Sequence, residues 1–146
     1  MIFKNIISKL FPKKIKKIVR TNLTSKILIV DDATVNRYIL KKYIEKCILQ
    51  LEVHEADNGL TAIEMCKLTN YDIIFMDIRM PGIDGIETTK IILKRDPYIV
   101  IFGTTGQIEA PVAKEALDSG MQKCIGKPIN LQTIKYLLDI VYNPQD

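Results

Sequence analysis

The chain has 146 residues, 47% of them apolar and 26% charged, which fits one globular domain with a core of its own. No apolar run nears the ~20 residues that cross a bilayer. Three scattered cysteines, Cys47, Cys66 and Cys124, argue against a disulfide framework or a zinc site and for a reducing compartment. The net charge of +4 is uneven. Residues 1–20 hold Lys4, Lys9, Lys13, Lys14, Lys16, Lys17 and Arg20 without an acid, while the rest has 14 basic and 17 acidic residues, a net of −3. The basic balance belongs to one segment, so it gives little reason to expect nucleic-acid binding.

Within that segment, Ile2, Phe3, Ile6, Ile7, Leu10 and Phe11 recur near helical spacing opposite Lys4, Asn5, Ser8 and Lys9. Pro12 interrupts, and Ile15, Ile18 and Val19 continue a second short pattern. The pattern predicts a basic amphipathic helix, followed by a polar linker to residue 25. A domain over 26–142 and a short tail, 143–146, complete the predicted organisation.

From Lys26 onward, predicted strands (26–30, 51–55, 72–76, 98–102, 122–125) alternate with predicted helices (34–48, 58–69, 85–95, 108–119, 130–142). Val35, Ile39, Tyr43 and Cys47 mark one apolar helix face, and Ile134, Leu137, Leu138 and Val141 another. Asn58-Gly59, Pro81-Gly82 and Asp84-Gly85 punctuate loops, and Gly120 ends a helix. Gly103 and Gly106 flank Thr104-Thr105 and are expected to loosen that loop. The alternation implies a parallel sheet with helices on both faces.

In such a sheet ligands bind beyond the carboxyl ends of the strands. Asp31, Asp32, Asp77, Thr105 and Lys127 all fall at predicted strand ends. Acids there are costly unless neutralised. Three carboxylates and one ammonium at one edge suggest a divalent cation and a phosphoryl group. Simpler readings exist: Asp31 or Asp32 as a helix N-cap, and His54, the sole histidine, as a half-exposed strand residue. The stretch Gly103–Gly106 lacks the lysine of a P-loop.

Val-Asp-Asp at 30–32, Met-Asp-Ile-Arg-Met-Pro-Gly-Ile-Asp-Gly at 76–85, Thr105 and Lys127-Pro128 together resemble a response-regulator receiver domain. Asn36-Arg37, Glu55-Ala56 and Asn58-Gly59 resemble receivers attached to hybrid histidine kinases. The resemblance implies a flavodoxin-like, doubly wound, five-stranded parallel sheet in the order 2-1-3-4-5 with five helices. It implies Asp77 as phosphoacceptor, taking a phosphoryl group from a histidine kinase or a histidine phosphotransfer protein. It further implies Mg²⁺ on Asp32, Asp77 and the main-chain carbonyl of Arg79, with Asp31 acting through water. Lys127 and Thr105 would meet phosphoryl oxygens, and the Lys127–Pro128 bond would be cis. Thr105 fits the family's distance to Lys127 better than Thr104 does.

The implied activity is autocatalytic phosphotransfer and autodephosphorylation, without turnover in the ordinary sense, in the cytoplasm. No output module is legible, so a stand-alone relay intermediate, phosphate sink or switch is expected. Cys124 stands where many receivers carry an aromatic residue. Arg79 and Gln107 occupy positions that tune water attack in the family. The alternatives are a phosphorylation-independent pseudo-receiver, a haloacid-dehalogenase phosphatase and a flavin carrier. The phosphatase needs an acid two residues after its nucleophile, where Asp77 has Arg79. For residues 1–20, self-association or packing, peripheral membrane contact, targeting and a solubilising tail stay open.

Overall fold

The computed structural model describes residues 24–48 and 50–143; the predicted helix in residues 1–20 lies outside the described residues. The strands are β1 (Ser25–Val30), β2 (Leu51–Ala56), β3 (Ile73–Asp77), β4 (Val100–Thr105) and β5 (Lys123–Gly126). The helices are α1 (Thr34–Cys47), α2 (Gly59–Leu68), α3 (Gly85–Arg95), α4 (Ala110–Asp118) and α5 (Leu131–Tyr142). All strand pairings are parallel, in the order β2-β1-β3-β4-β5. The flavodoxin-like topology expected from the resemblance is therefore the one observed.

The central strands are apolar on both faces because helices cover both. Leu28, Val30, Ile74, Met76 and Ile101 pack with Ala62 of α2, Ile86 and Ile92 of α3 and Ala116 of α4. Ile27, Ile29, Ile73, Phe75 and Phe102 pack on the other face with Leu40 and Ile44 of α1 and with Ile134, Leu137, Leu138 and Val141 of α5. Each such large side chain contributes roughly 2 kcal/mol of burial free energy.

Three local expectations need correction. On α1 the buried residues are Leu40 and Ile44, whereas Val35 is 65% and Ile39 43% exposed. Strand β4 runs to Thr105, beyond the predicted end at residue 102, and Asp77 is the last residue of β3. Gly103 is a buried strand residue, and a Cβ there would meet Met121 Sδ at 2.6 Å, so it serves packing and not looseness. Asn58 and Asp84 are helix N-caps, accepting hydrogen bonds from Thr61 N (2.8 Å) and Glu87 N (2.9 Å), and the glycine after each opens a helix.

Gly85 fixes the loop that follows Asp77. Its amide donates to Ile78 O at 2.8 Å, and a Cβ would collide with the Asp77 carbonyl. We expect Gly85→Ala to destabilise the fold by at least about 2 kcal/mol in urea unfolding, since backbone cannot yield as a side chain can. Gly106 has open space around it and no positive φ. Gly106→Ala should shift stability by less than ~1 kcal/mol, in the stabilising direction.

Candidate functional site

The carboxyl edge gathers the predicted residues at the ends of β1, β3, β4 and β5. Asp31 follows β1 and is 4% exposed. Its carboxylate accepts hydrogen bonds from Ala33 N (2.8 Å), Asn36 Nδ2 (3.2 Å) and Lys127 Nζ (2.8 Å). Ala33 occupies the N-cap position of α1 without a side-chain cap, so neither Asp31 nor Asp32 is spent on capping. Asp32 is exposed, and Asp77 is buried at 4% exposure. One carboxylate oxygen from each of Asp31, Asp32 and Asp77 lies within 4.8 Å of the others.

Lys127 answers this charge from the turn between β5 and α5. Besides Asp31, its ammonium reaches Asp77 Oδ1 at 3.3 Å. Burial acts to lower the Lys127 pKa, but the Asp31 hydrogen bond and the charges of Asp77 and Asp31 raise it on balance. The Asp77 carboxyl is pushed up to about 6, first by burial and then by the Asp31 charge; Lys127 only partly reverses this, and Asp32 adds to the rise. The Lys127–Pro128 bond is cis.

Thr105 is 1% exposed, and its hydroxyl turns to its own loop, donating to Gln107 O (3.2 Å) and accepting from Gln107 N (3.3 Å). Thr104 is the ladder neighbour of Asp77. Arg79 is exposed in the loop before α3. Cys124 packs partly buried against the core, and burial pushes its thiol up. His54 sits in β2 with Tyr71 Oη and Glu52 Oε1 each 2.6 Å from a ring nitrogen, as a satisfied strand histidine. Two supporting residues had no role assigned from sequence. Asn36 holds the Asp31 carboxylate, and Arg37 binds the Asp31 carbonyl (2.8 Å) and Glu55 (3.2 Å). Both lie one turn into α1, a spacing that carries no chemistry until the helix is docked.

Three carboxylates facing one ammonium leave a formal surplus of two negative charges. Clustered carboxylates of this kind are a donor set for a hard divalent cation. The family model for the response regulator receiver domain matches residues 27–139. The chain belongs to this family.

The receiver is 33% identical over 109 residues to sensor protein EvgS of Escherichia coli O157:H7, covering 75% of this chain and 9% of EvgS. It is 35% identical over 130 residues to hybrid signal transduction histidine kinase G of Dictyostelium discoideum, covering 85% of this chain and 4% of that kinase. The chain thus spans less than a tenth of the length of these curated relatives. The chemotaxis protein CheY4 of Vibrio cholerae superposes with a TM-score of 0.74 at 25% identity, covering 81% of this chain and 98% of that one. The receiver domain of Francisella response regulator 1452 shares the fold with a TM-score of 0.73 at 24% identity, covering 84% and 99%.

The raised Asp77 pKa fixes a pH dependence of stability. The folded receiver holds the Asp77 proton up to a pH of about 6, whereas the unfolded chain releases it near the usual 3.8. Stability from this group is therefore complete below the unfolded value and is lost as pH rises through the folded one. Two pH units correspond to about 3 kcal/mol. Metal-free Asp77→Asn should gain up to that much over the wild-type receiver at pH 7.5, and the gain should vanish near pH 4. Urea titrations at both pH values check it.

Proposed function

We propose that this receiver accepts a phosphoryl group on Asp77 from a phosphohistidine of a histidine kinase or histidine phosphotransfer protein, as a relay intermediate or switch. The observation that carries this reading is the Lys127 ammonium set between Asp31 (2.8 Å) and Asp77 (3.3 Å) with a third carboxylate in reach. An Asp77 oxygen attacks phosphorus, the phosphorus–nitrogen bond breaks, and the imidazole leaves with the electron pair, giving an acyl phosphate. Positioning and charge neutralisation do most of such work. Lys127 offers its charge to one phosphoryl oxygen. Thr105 exchanges its Gln107 hydrogen bonds for another, which costs little because those bonds are long.

Asp32, Asp77 and the main-chain carbonyl of Arg79 would hold Mg²⁺, with Asp31 acting through water. Asp31 is already engaged by Lys127, Ala33 and Asn36, which supports the indirect role. When bound, Mg²⁺ supplies positive charge to the phosphoryl oxygens. Exposed Asp32 leaves room for the waters that Mg²⁺ retains. The kinase relatives support a phosphohistidine donor. Free thiols at Cys47, Cys66 and Cys124 fit a cytoplasmic setting.

With acetyl phosphate and Mg²⁺, intact mass should rise by one phosphate, and Asp77→Asn should abolish the rise. Undiminished labelling of that variant overturns the assignment. Mg²⁺ alone should raise the melting temperature of the receiver, and much less that of Asp32→Ala, because a cation relieves carboxylate repulsion.

A separate expectation concerns the two threonines. Thr105→Ala should still be phosphorylated but lose the chemical-shift response over residues 108–125, whereas Thr104→Ala should keep it. The reverse pattern makes Thr104 the coupling residue.

A further inference from the structure

We propose that Arg37, backed by Glu55, is a positioning residue that aims Asp32. The inference deepens the proposed function, since it rests on the reading that Asp32 holds Mg²⁺. The Asp31 carboxylate is held by Ala33 N, Asn36 Nδ2 and Lys127 Nζ. The exposed Asp32 carboxylate, by contrast, has no hydrogen bond or ion pair among the described residues. Its direction is therefore set by the backbone that carries it, which begins at the Asp31–Asp32 peptide. A peptide unit is planar, so the Asp31 carbonyl oxygen and the Asp32 Cα share one plane. Asp31 N donates to Ala56 O (3.2 Å) and Ala33 N to Asp31 Oδ1 (2.8 Å), which anchors the turn on both sides of that unit. A group that also fixes the carbonyl oxygen fixes the direction in which Asp32 leaves the end of β1.

The Arg37 guanidinium is that group. Its Nη1 donates to Asp31 O at 2.8 Å, Nε to Glu55 Oε1 at 3.2 Å and Nη2 to Thr34 Oγ1 at 3.3 Å. The shortest of the three bonds goes to the carbonyl. The side chain is only 14% exposed, so the fork is largely withdrawn from water. Glu55 is the neighbour of Ile29 in the β1–β2 ladder, one step before the pair formed by Ala56 and Val30. Its second oxygen lies 3.7 Å from Lys41 Nζ. The arginine stem comes from α1 and its carboxylate partner from β2, and both elements pack at the end of β1. A planar, five-donor fork held at two other points presents its remaining donor in a set direction.

An ion pair that ties α1 to β2 explains the Glu55 contact. It does not explain why the shortest bond runs inward to the carbonyl that precedes Asp32. Charge does not explain it either, because a cation beside a metal site opposes the metal. The three accounts differ in sign. Charge alone predicts tighter Mg²⁺ binding when Arg37 is removed. A purely structural tie predicts lower stability and unchanged affinity in the folded chain. Positioning predicts weaker binding in a chain that still folds. Lysine keeps the charge but is a point donor without the fork, so it cannot hold the carbonyl, Glu55 and Thr34 together.

Mg²⁺ titration of the full-length chain, followed by the amide resonances of Asp32 and Asp77, separates these accounts. Arg37→Met and Arg37→Lys should each weaken Mg²⁺ binding by about tenfold or more, the usual cost of losing a residue that orients a metal ligand. Glu55→Ala should bind Mg²⁺ more weakly than Glu55→Gln, which still offers Nε an acceptor. In acetyl phosphate labelling, the Mg²⁺ concentration for half-maximal rate should rise in Arg37→Met by the same factor, while the rate at saturating Mg²⁺ approaches that of the wild-type receiver. Unchanged or tighter Mg²⁺ binding by a folded Arg37→Met overturns the inference. Should that variant fail to fold, wild-type affinity in Arg37→Lys overturns it equally. The underlying reading is tested by the wild-type chain alone: absence of Mg²⁺ shifts at Asp32 and of labelling at Asp77 removes the proposed function, whereas their presence with unaffected Arg37 variants removes only the role of Arg37.

Discussion

A single ammonium group sets the terms for the site. Lys127 comes from the turn after the edge strand β5, yet it meets Asp31 beyond β1 and Asp77 at the end of β3. To do so it crosses the end of β4, which lies between β5 and β3. Two nearly buried carboxylates without it would cost several kcal/mol. With it they are tolerated but not balanced, because Asp32 adds a third negative charge. The residual repulsion and the burial leave Asp77 with a pKa of about 6. The fold thus carries a local destabilisation at the point where its chemistry is concentrated, as strained or crowded functional sites commonly do.

Such a cluster needs a stiff support, and the packing supplies it. Strand β3 is buried along its whole length between two helix layers, so the Asp77 backbone has no freedom to relax away from Asp31. Behind it, Gly85 brings the start of α3 into contact with the Asp77 carbonyl, a distance only a residue without Cβ permits. Asn36 and Arg37 hold the side chain and carbonyl of Asp31 from α1. Three elements therefore fix the two buried acids from different directions, while Asp32 remains exposed.

The five strands, the five helices and the gathering of Asp31, Asp32, Asp77 and Lys127 at one edge were legible in the sequence, because parallel βα alternation leaves few arrangements; the strand order came from the resemblance to receiver domains. The orientation of α1 was not. Val35, Ile39, Tyr43 and Cys47 are spaced by four, but a helix turns every 3.6 residues, so such a row drifts ~40° per step. It begins on the solvent side at Val35 and reaches the core side only near Tyr43 and Cys47. The end of β4 was misjudged for a different reason. Its apolar run stops at Phe102, but β3 and β5 flank it on both sides, and the ladder continues through Gly103, Thr104 and Thr105. Hydrogen bonding extended a strand that hydropathy had ended. Gly103 likewise reads as flexible until Met121 is seen against it.

The two edges of the sheet differ in charge for a reason inherent in the architecture. Every helix that follows a parallel strand starts at the carboxyl edge and ends at the amino edge, so the positive ends of the helix dipoles collect with the carboxylates and the negative ends with the lysines. Asp31 and Asp32 precede α1, and Asp84 caps α3; Lys46, Lys67, Lys94 and Arg95 close α1, α2 and α3. Acidic chemistry and basic contacts are thereby separated by the length of a strand. A surface that occupies the amino edge need not compete with one that approaches Asp77.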